Sequence, residues 1–197
     1  MNKRERVMAA IRGEPVDRVP VSFWLHNFAR EHSAQALADE TVRLHNAFDW
    51  DFLKPQSRET CFAEMWGMQI EPSTQQTVKF TVKHEPLRDV REFGKLQPAD
   101  ASKGALAEQL QALLKVRAAV GADVPIVATI FAPLMVALFL MPGGRKEVLR
   151  LMREDPAALD RGLAAIAATL ADYARNCIAA GIDGIFYATT VATKKLI

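Results

Sequence analysis

Apolar residues fall in two rhythms along this chain, and the switch from one to the other marks its elements. Val19 to Trp24, Trp50 to Leu53, Val124 to Phe131 and Ile182 to Tyr187 are short runs with few polar breaks. Elsewhere apolar positions recur by threes and fours, as in Leu106, Leu110, Leu113, Leu114 and Ala118, or Leu159, Leu163, Ile166, Leu170 and Cys177. The first rhythm predicts strands covered on both faces, and the second predicts amphipathic helices. Punctuation agrees with both. Asn2 is placed to cap a helix whose inner face is Val7, Met8 and Ile11 and whose stop is Gly13. Gly121 closes the helix through Leu114; Asp155-Pro156 opens the next one and Gly181 ends it. Residues 29–46, with Leu37, Val42 and Leu44 among polar neighbours, predict one or two helices more.

Residues 65–85 follow a third pattern. Met68 to Glu71 and Thr77 to Lys83 alternate apolar and polar at period two, with Pro72-Ser73-Thr74 between them. That is the mark of an antiparallel hairpin with one wet face. An irregular connector from Pro86 to Pro98 holds a short helix around Val90. Apolar strands that each pass into a helix predict a parallel sheet covered on both sides, with the hairpin as an insertion.

Composition narrows the function classes. Half of the 197 residues are hydrophobic and 24% are charged, the balance of a globular chain with a real core. A net charge of +2, spread among interleaved acids and bases, gives no nucleic-acid footprint. The longest apolar run, Val124 to Met141, is broken by Pro125 and Pro133, so no membrane span is expected. The start, Asn2-Lys3-Arg4-Glu5-Arg6, is too charged for a signal peptide. Cys61 and Cys177 show neither metal spacing nor a disulfide framework. The expectation is a cytoplasmic protein with a small-molecule ligand.

Three segments carry a family resemblance. Arg12-Gly13-Glu14-Pro15-Val16-Asp17-Arg18-Val19-Pro20 resembles the "RGE-x-x-DRVP" opening of uroporphyrinogen decarboxylase-like proteins. Pro125 to Gly144, with Phe131-Ala132-Pro133 and Pro142-Gly143-Gly144, is similar to that family's third strand and following region. Ala180-Gly181-Ile182-Asp183-Gly184-Ile185 is similar to its fourth strand, "AGADGI". The resemblance, to the superfamily of uroporphyrinogen decarboxylases and cobalamin-dependent methyltransferases, implies an α/β fold of the (β/α)₈ TIM-barrel type. Such barrels take about 250 residues. It therefore implies that residues 1–197 are the N-terminal half of one barrel domain, with the C-terminal half absent and Lys194 to Ile197 running into the next helix. Exposed edges of a half-barrel predict self-association or a homodimer.

Barrel active sites lie at the C-terminal ends of the strands. That places His26, Asn27, Gln56, Phe131, Tyr187 and Thr189 around one rim. The family enzyme grips an acid-rich tetrapyrrole with arginines after strand 1 and steadies a cationic intermediate with an aspartate after strand 2; a tyrosine and a serine assist. Here Arg30 matches the second arginine only with one residue inserted, and the first has no counterpart. The aspartate position falls near Gln56, the tyrosine position at Phe139, and the serine position at Ala188 or Thr189.

The substrate-binding candidates are thus His26, Asn27, Arg30, Gln56, Phe139, Tyr187 and Thr189, with no metal ligand among them and no catalytic residue assigned. Several have a plainer alternative: His26 and Asn27 as surface or capping residues, and Arg30 as a solvated helix residue beside Glu31; Glu59 and Glu64, as displaced carboxylates, compete with an exposed helix or loop face. Asp49 and Asp51, at the entry of strand 2, read as cap and turn residues; Cys177 reads as core. Three readings stay open. One is cofactor-free decarboxylation of a porphyrinogen or related polycarboxylate. Another is a corrinoid-dependent methyltransferase using zinc, whose ligands would lie in the half that is absent. The third is a truncated, non-catalytic barrel fragment.

Overall fold

The computed structural model describes residues 1–191; the expected run of Lys194 to Ile197 into a helix lies outside them. Helices begin where the sequence supplies caps. Before α1 (Lys3–Ile11), the Asn2 side chain accepts from the Glu5 N–H while the Glu5 carboxylate accepts from the Asn2 N–H, a reciprocal box. Helix α2 (Ala34–Phe48) opens on Ser33 and closes on Asp49, held at φ 51° in the left-handed region. It starts later than the pattern from residue 29 suggests, because residues 28–33 are spent on turns. Ser33 Oγ accepts from the Ala36 N–H at 3.1 Å, so Ser33→Ala is expected to cost about 1 kcal/mol, read as a lower thermal midpoint.

After the short α3 (Cys61–Glu64) comes the hairpin, β1 (Gln69–Glu71) against β2 (Thr81–His84), antiparallel and bulged between Gln69 and Ile70. It is shorter than the alternation promises, and β2 is exposed along its whole length. Both of its faces are wet, not one, since only Ile70 turns partly inward. A 3₁₀ segment, Val90–Lys95, occupies the expected short helix. There follow α4 (Gly104–Val120), β3 (Val127–Phe131), α5 (Pro133–Leu140), α6 (Arg145–Glu154), α7 (Pro156–Ala179) and β4 (Gly184–Ala188).

Strands β3 and β4 pair in parallel, from Val127 beside Gly184 to Phe131 beside Ala188. Leu53 bridges Ile126 in parallel, donating to the Pro125 carbonyl at 2.8 Å and accepting from the Val127 N–H at 2.9 Å. The Asp51 N–H in turn donates to the Val21 carbonyl at 2.8 Å. The four apolar segments therefore lie side by side in chain order, but the first two form no ladder of their own. Proline explains this. Pro20, Pro55 and Pro125 have no N–H to give, and the Val21 N–H is taken by the Asp51 carboxylate at 2.8 Å.

The core lies between this sheet and the helices, around Phe62, Phe93, Leu106, Ile126 and Ile166, all 1% exposed or less. Helix α1 reverses the expected facing. It buries Arg6 and Ala9 and leaves Met8 and Ile11 40% and 72% exposed, because Arg6 reaches inward to a buried carboxylate. Among the described residues no helix is long and apolar enough to cross a membrane.

Candidate functional site

The loop after the first apolar segment and the end of the second meet at one place. Lys54 Nζ donates to Gln56 Oε1 at 2.7 Å, which fixes the orientation of that amide. Gln56 Nε2 must then donate to His26 Nε2, 2.9 Å away. The His26 proton is left on Nδ1, which faces Glu31 Oε1 at 2.7 Å. A directed chain of hydrogen bonds results, Lys54 to Gln56 to His26 to Glu31, linking residues distant in sequence. Phe28 stacks on the His26 ring at 4.8 Å and 10°, so the ring is fixed from the side as well.

Glu31 is 2% exposed and also accepts from the Asn27 N–H at 2.9 Å. Its other oxygen, Oε2, is buried with no hydrogen-bond partner in the structure. Asn27 turns its amide to Glu40 at 2.9 Å. Hydrogen bonding to Arg43 holds the Glu40 carboxyl down at about 2. Lys54 is buried, with Nζ 4.3 Å from the centre of the Trp24 ring and 4.8 Å from that of Phe186. Burial lowers its ammonium to about 8. A narrow cleft runs past this chain, lined by Trp24, Asn27, Arg30, Glu31, Lys54 and Gln56 among others.

Of the expected rim residues, His26, Asn27 and Gln56 come together, and Arg30 lines the same cleft with an exposed side chain. Phe131 does not join them. It packs against Phe62 at 4.8 Å and Phe139 at 6.2 Å, which makes Phe139 part of the core packing rather than an arm of the His26 cluster. Tyr187 faces away. Adjacent strand residues point to opposite faces, and Phe186 is the one beside Trp24 and Lys54. Tyr187 lies instead with Ile130, Ile185 and the α7 residues Leu170 and Ala174. Thr189 is exposed just past β4.

Lys54, Glu31 and Glu40 were not among the candidates. The available signal was a charge at the end of an apolar strand, Leu53-Lys54-Pro55, where a covered strand has no other use for one. The alternative carboxylates are held by cations: Glu64 grips buried Arg58 at 2.8 Å, and Glu59 grips Lys79 at 2.8 Å while its Oε1 stands 3.7 Å from His26 Nε2. Both cysteine thiols are pushed up by burial, Cys177 to about 11, which removes them as nucleophiles near neutral pH. Among the described residues no three His, Cys, Asp or Glu side chains are grouped to hold a metal ion.

The segments that carry the family resemblance form clamps near the starts of the strands. Asp51 is fully buried and accepts from Arg6 at 2.7 Å, from both Arg18 terminal nitrogens and from the Val21 N–H. Asp17 engages Arg6 from the other side at 2.6 Å. Asp183 binds Arg4 at 2.6 Å, Arg117, and the Ile126 N–H at 2.8 Å, joining α1, α4, β3 and β4.

Comparison with known proteins agrees with this architecture. A methyltransferase from Methanosarcina mazei superposes with a TM-score of 0.82 at 24% identity, over 100% of this chain and 61% of the other. This chain thus spans less than two thirds of that protein. No curated protein matches. The profile of the family "Uroporphyrinogen decarboxylase (URO-D)" matches residues 2–196, nearly the whole sequence, and the chain belongs to that family.

Proposed function

We propose that the chain supplies the substrate-binding rim of an enzyme of this superfamily, and that its substrate is a carboxylate-bearing small molecule other than uroporphyrinogen. One observation carries this reading. After the second apolar segment, Lys54 and Gln56 present a cation and an amide, where decarboxylation through a cationic pyrrole intermediate calls for an anion. A cation there raises the energy of such an intermediate. The reaction that fits a buried ammonium is loss of carbon dioxide from a smaller acid, because a cation there steadies the carbon left electron-rich. That carbon takes its proton from water, since both His26 nitrogens are engaged, by Glu31 and by Gln56, and His26 serves to orient the Gln56 amide.

Incubation with uroporphyrinogen is expected to release no carbon dioxide, and coproporphyrin to show no change in its absorption band when the protein is added. Release of carbon dioxide, or a saturable band shift, would overturn the exclusion of tetrapyrroles.

Methyl transfer between a corrinoid and a thiol is the second reading, favoured by the structurally similar protein from Methanosarcina mazei, a methyltransferase. The described residues do not fit a zinc site, since no three His, Cys, Asp or Glu side chains among them are grouped as ligands. Thiol-dependent loss of the methylcobalamin absorbance in the presence of the chain would move the assignment from lyase to transferase.

A further inference from the structure

We propose that Lys54 is the anion seat of this cleft: its ammonium, between Trp24 and Phe186, receives one carboxylate of the ligand. The argument starts from an imbalance. Lys54 is 6% exposed, yet among the described residues no carboxylate lies within ion-pair distance of its Nζ. Its one hydrogen bond goes to the neutral Gln56, which leaves two of the three ammonium donors unmatched. A buried, uncompensated cation is costly and is seldom kept without a partner. The two aromatic faces recover part of that cost, and both rings remain open to solvent, Trp24 at 49% and Phe186 at 39% exposed. They flank the ammonium, and among the described residues no carboxylate forms an ion pair with it.

Charge decides the class of anion. The other charged groups lining the cleft are Glu31, Glu40 and Arg30, and Arg30 is exposed. His26 stands behind Gln56 and Glu31, which engage its two nitrogens. A dianionic phosphate would meet one buried cation and two nearby carboxylates, whereas a carboxylate brings a single charge to match a single ammonium. The aromatic walls favour a flat, apolar body behind that carboxylate. This assignment rests on the cleft being the substrate site, but it can be read by binding alone, without turnover.

Benzoate is a suitable probe, with benzamide as its uncharged isostere and inorganic phosphate as the competing anion, each titrated by calorimetry. Benzoate is expected to bind in the millimolar range or tighter, benzamide at least ~10-fold more weakly, and phosphate more weakly than benzoate. Only the protonated amine attracts the anion, so affinity should fall about tenfold per pH unit above pH ~8. Lys54→Arg, whose charge does not titrate in this range, should keep binding and lose that pH dependence. Lys54→Met removes a buried charge at similar volume; it should fold, as judged by an unchanged or raised thermal midpoint, and lose benzoate at least ~10-fold.

Equal binding of benzoate and benzamide, tighter binding of phosphate, or undiminished binding by folded Lys54→Met would each overturn the proposal. No detectable benzoate binding would do the same. Carboxylate binding that depends on Lys54, in a protein found to perform its chemistry at another surface, would instead overturn the functional reading and leave the seat in place.

Discussion

Asp51→Ala is expected to lower the unfolding free energy by about 3 kcal/mol. The carboxylate is fully buried and closes a network that joins α1, the turn before the first apolar segment, that segment itself and the second one. Deleting it strands the Arg6 guanidinium, whose side chain is only 8% exposed. Arg6 keeps Asp17, and Arg18 is half open to water, so the loss sits at the lower end of the range for breaking a buried pair. With a urea slope of about 2 kcal/mol per molar, the midpoint should fall by roughly 1.5 M. A fall under about 0.5 M would mean that the network adds little beyond solvated pairs.

The same carboxylate gives the pH dependence its sign. Burial pushes the Asp51 carboxyl up, but the Val21 N–H and the Arg18 and Arg6 guanidiniums together outweigh it and hold it below the usual range. A group whose folded value is depressed contributes stability above its unfolded value, near 4, and loses it as pH falls through the folded one. Acid should therefore destabilise the native protein more steeply than Asp51→Ala. Parallel acid profiles for the two would assign the lability to other carboxylates.

These clamps explain what could be read from the sequence. The motif residues Asp17, Arg18 and Asp183 identified the family because they join the strand entries to the helices, a role tied to the fold. Helices α4 and α7 were legible too, because their apolar spacing and their glycine and Asp-Pro boundaries agree. The split of residues 133–154 into α5 and α6 was not. It depends on Gly143 and Gly144, both at positive φ, which turn the chain between two short helices. His26, Asn27 and Gln56 could be placed at the rim because barrel topology puts strand ends there. Lys54 and Glu31 could not. Their importance lies in partners that they have or lack across the fold, and neighbouring residues in sequence do not record that.

Gly162→Ala carries the second large effect, with a sign opposite to the usual one. In a helix interior, replacing glycine by alanine ordinarily stabilises by about 1 kcal/mol. On α7 the added Cβ would lie 2.3 Å from two ring carbons of Phe93 and 2.7 Å from the Phe93 carbonyl oxygen. Phe93 is fully buried, and its 3₁₀ segment is pinned by a capping box between Asp89 and Glu92. Gly94 adds a second close approach, since a Cβ there would meet the Ala158 Cβ at 2.8 Å. The segment and α7 can pack this closely only because both positions lack a side chain. Separating them should cost about 2 kcal/mol net, the overpacking penalty minus the helix gain. Thermal melts of Gly162→Ala and of Gly162→Ala combined with Phe93→Leu would test the cause. The smaller side chain relieves the ring contact but not the carbonyl contact, so the pair should recover part of the loss. A stabilised Gly162→Ala, or no recovery in the pair, would mean that this interface yields more readily than its spacing allows.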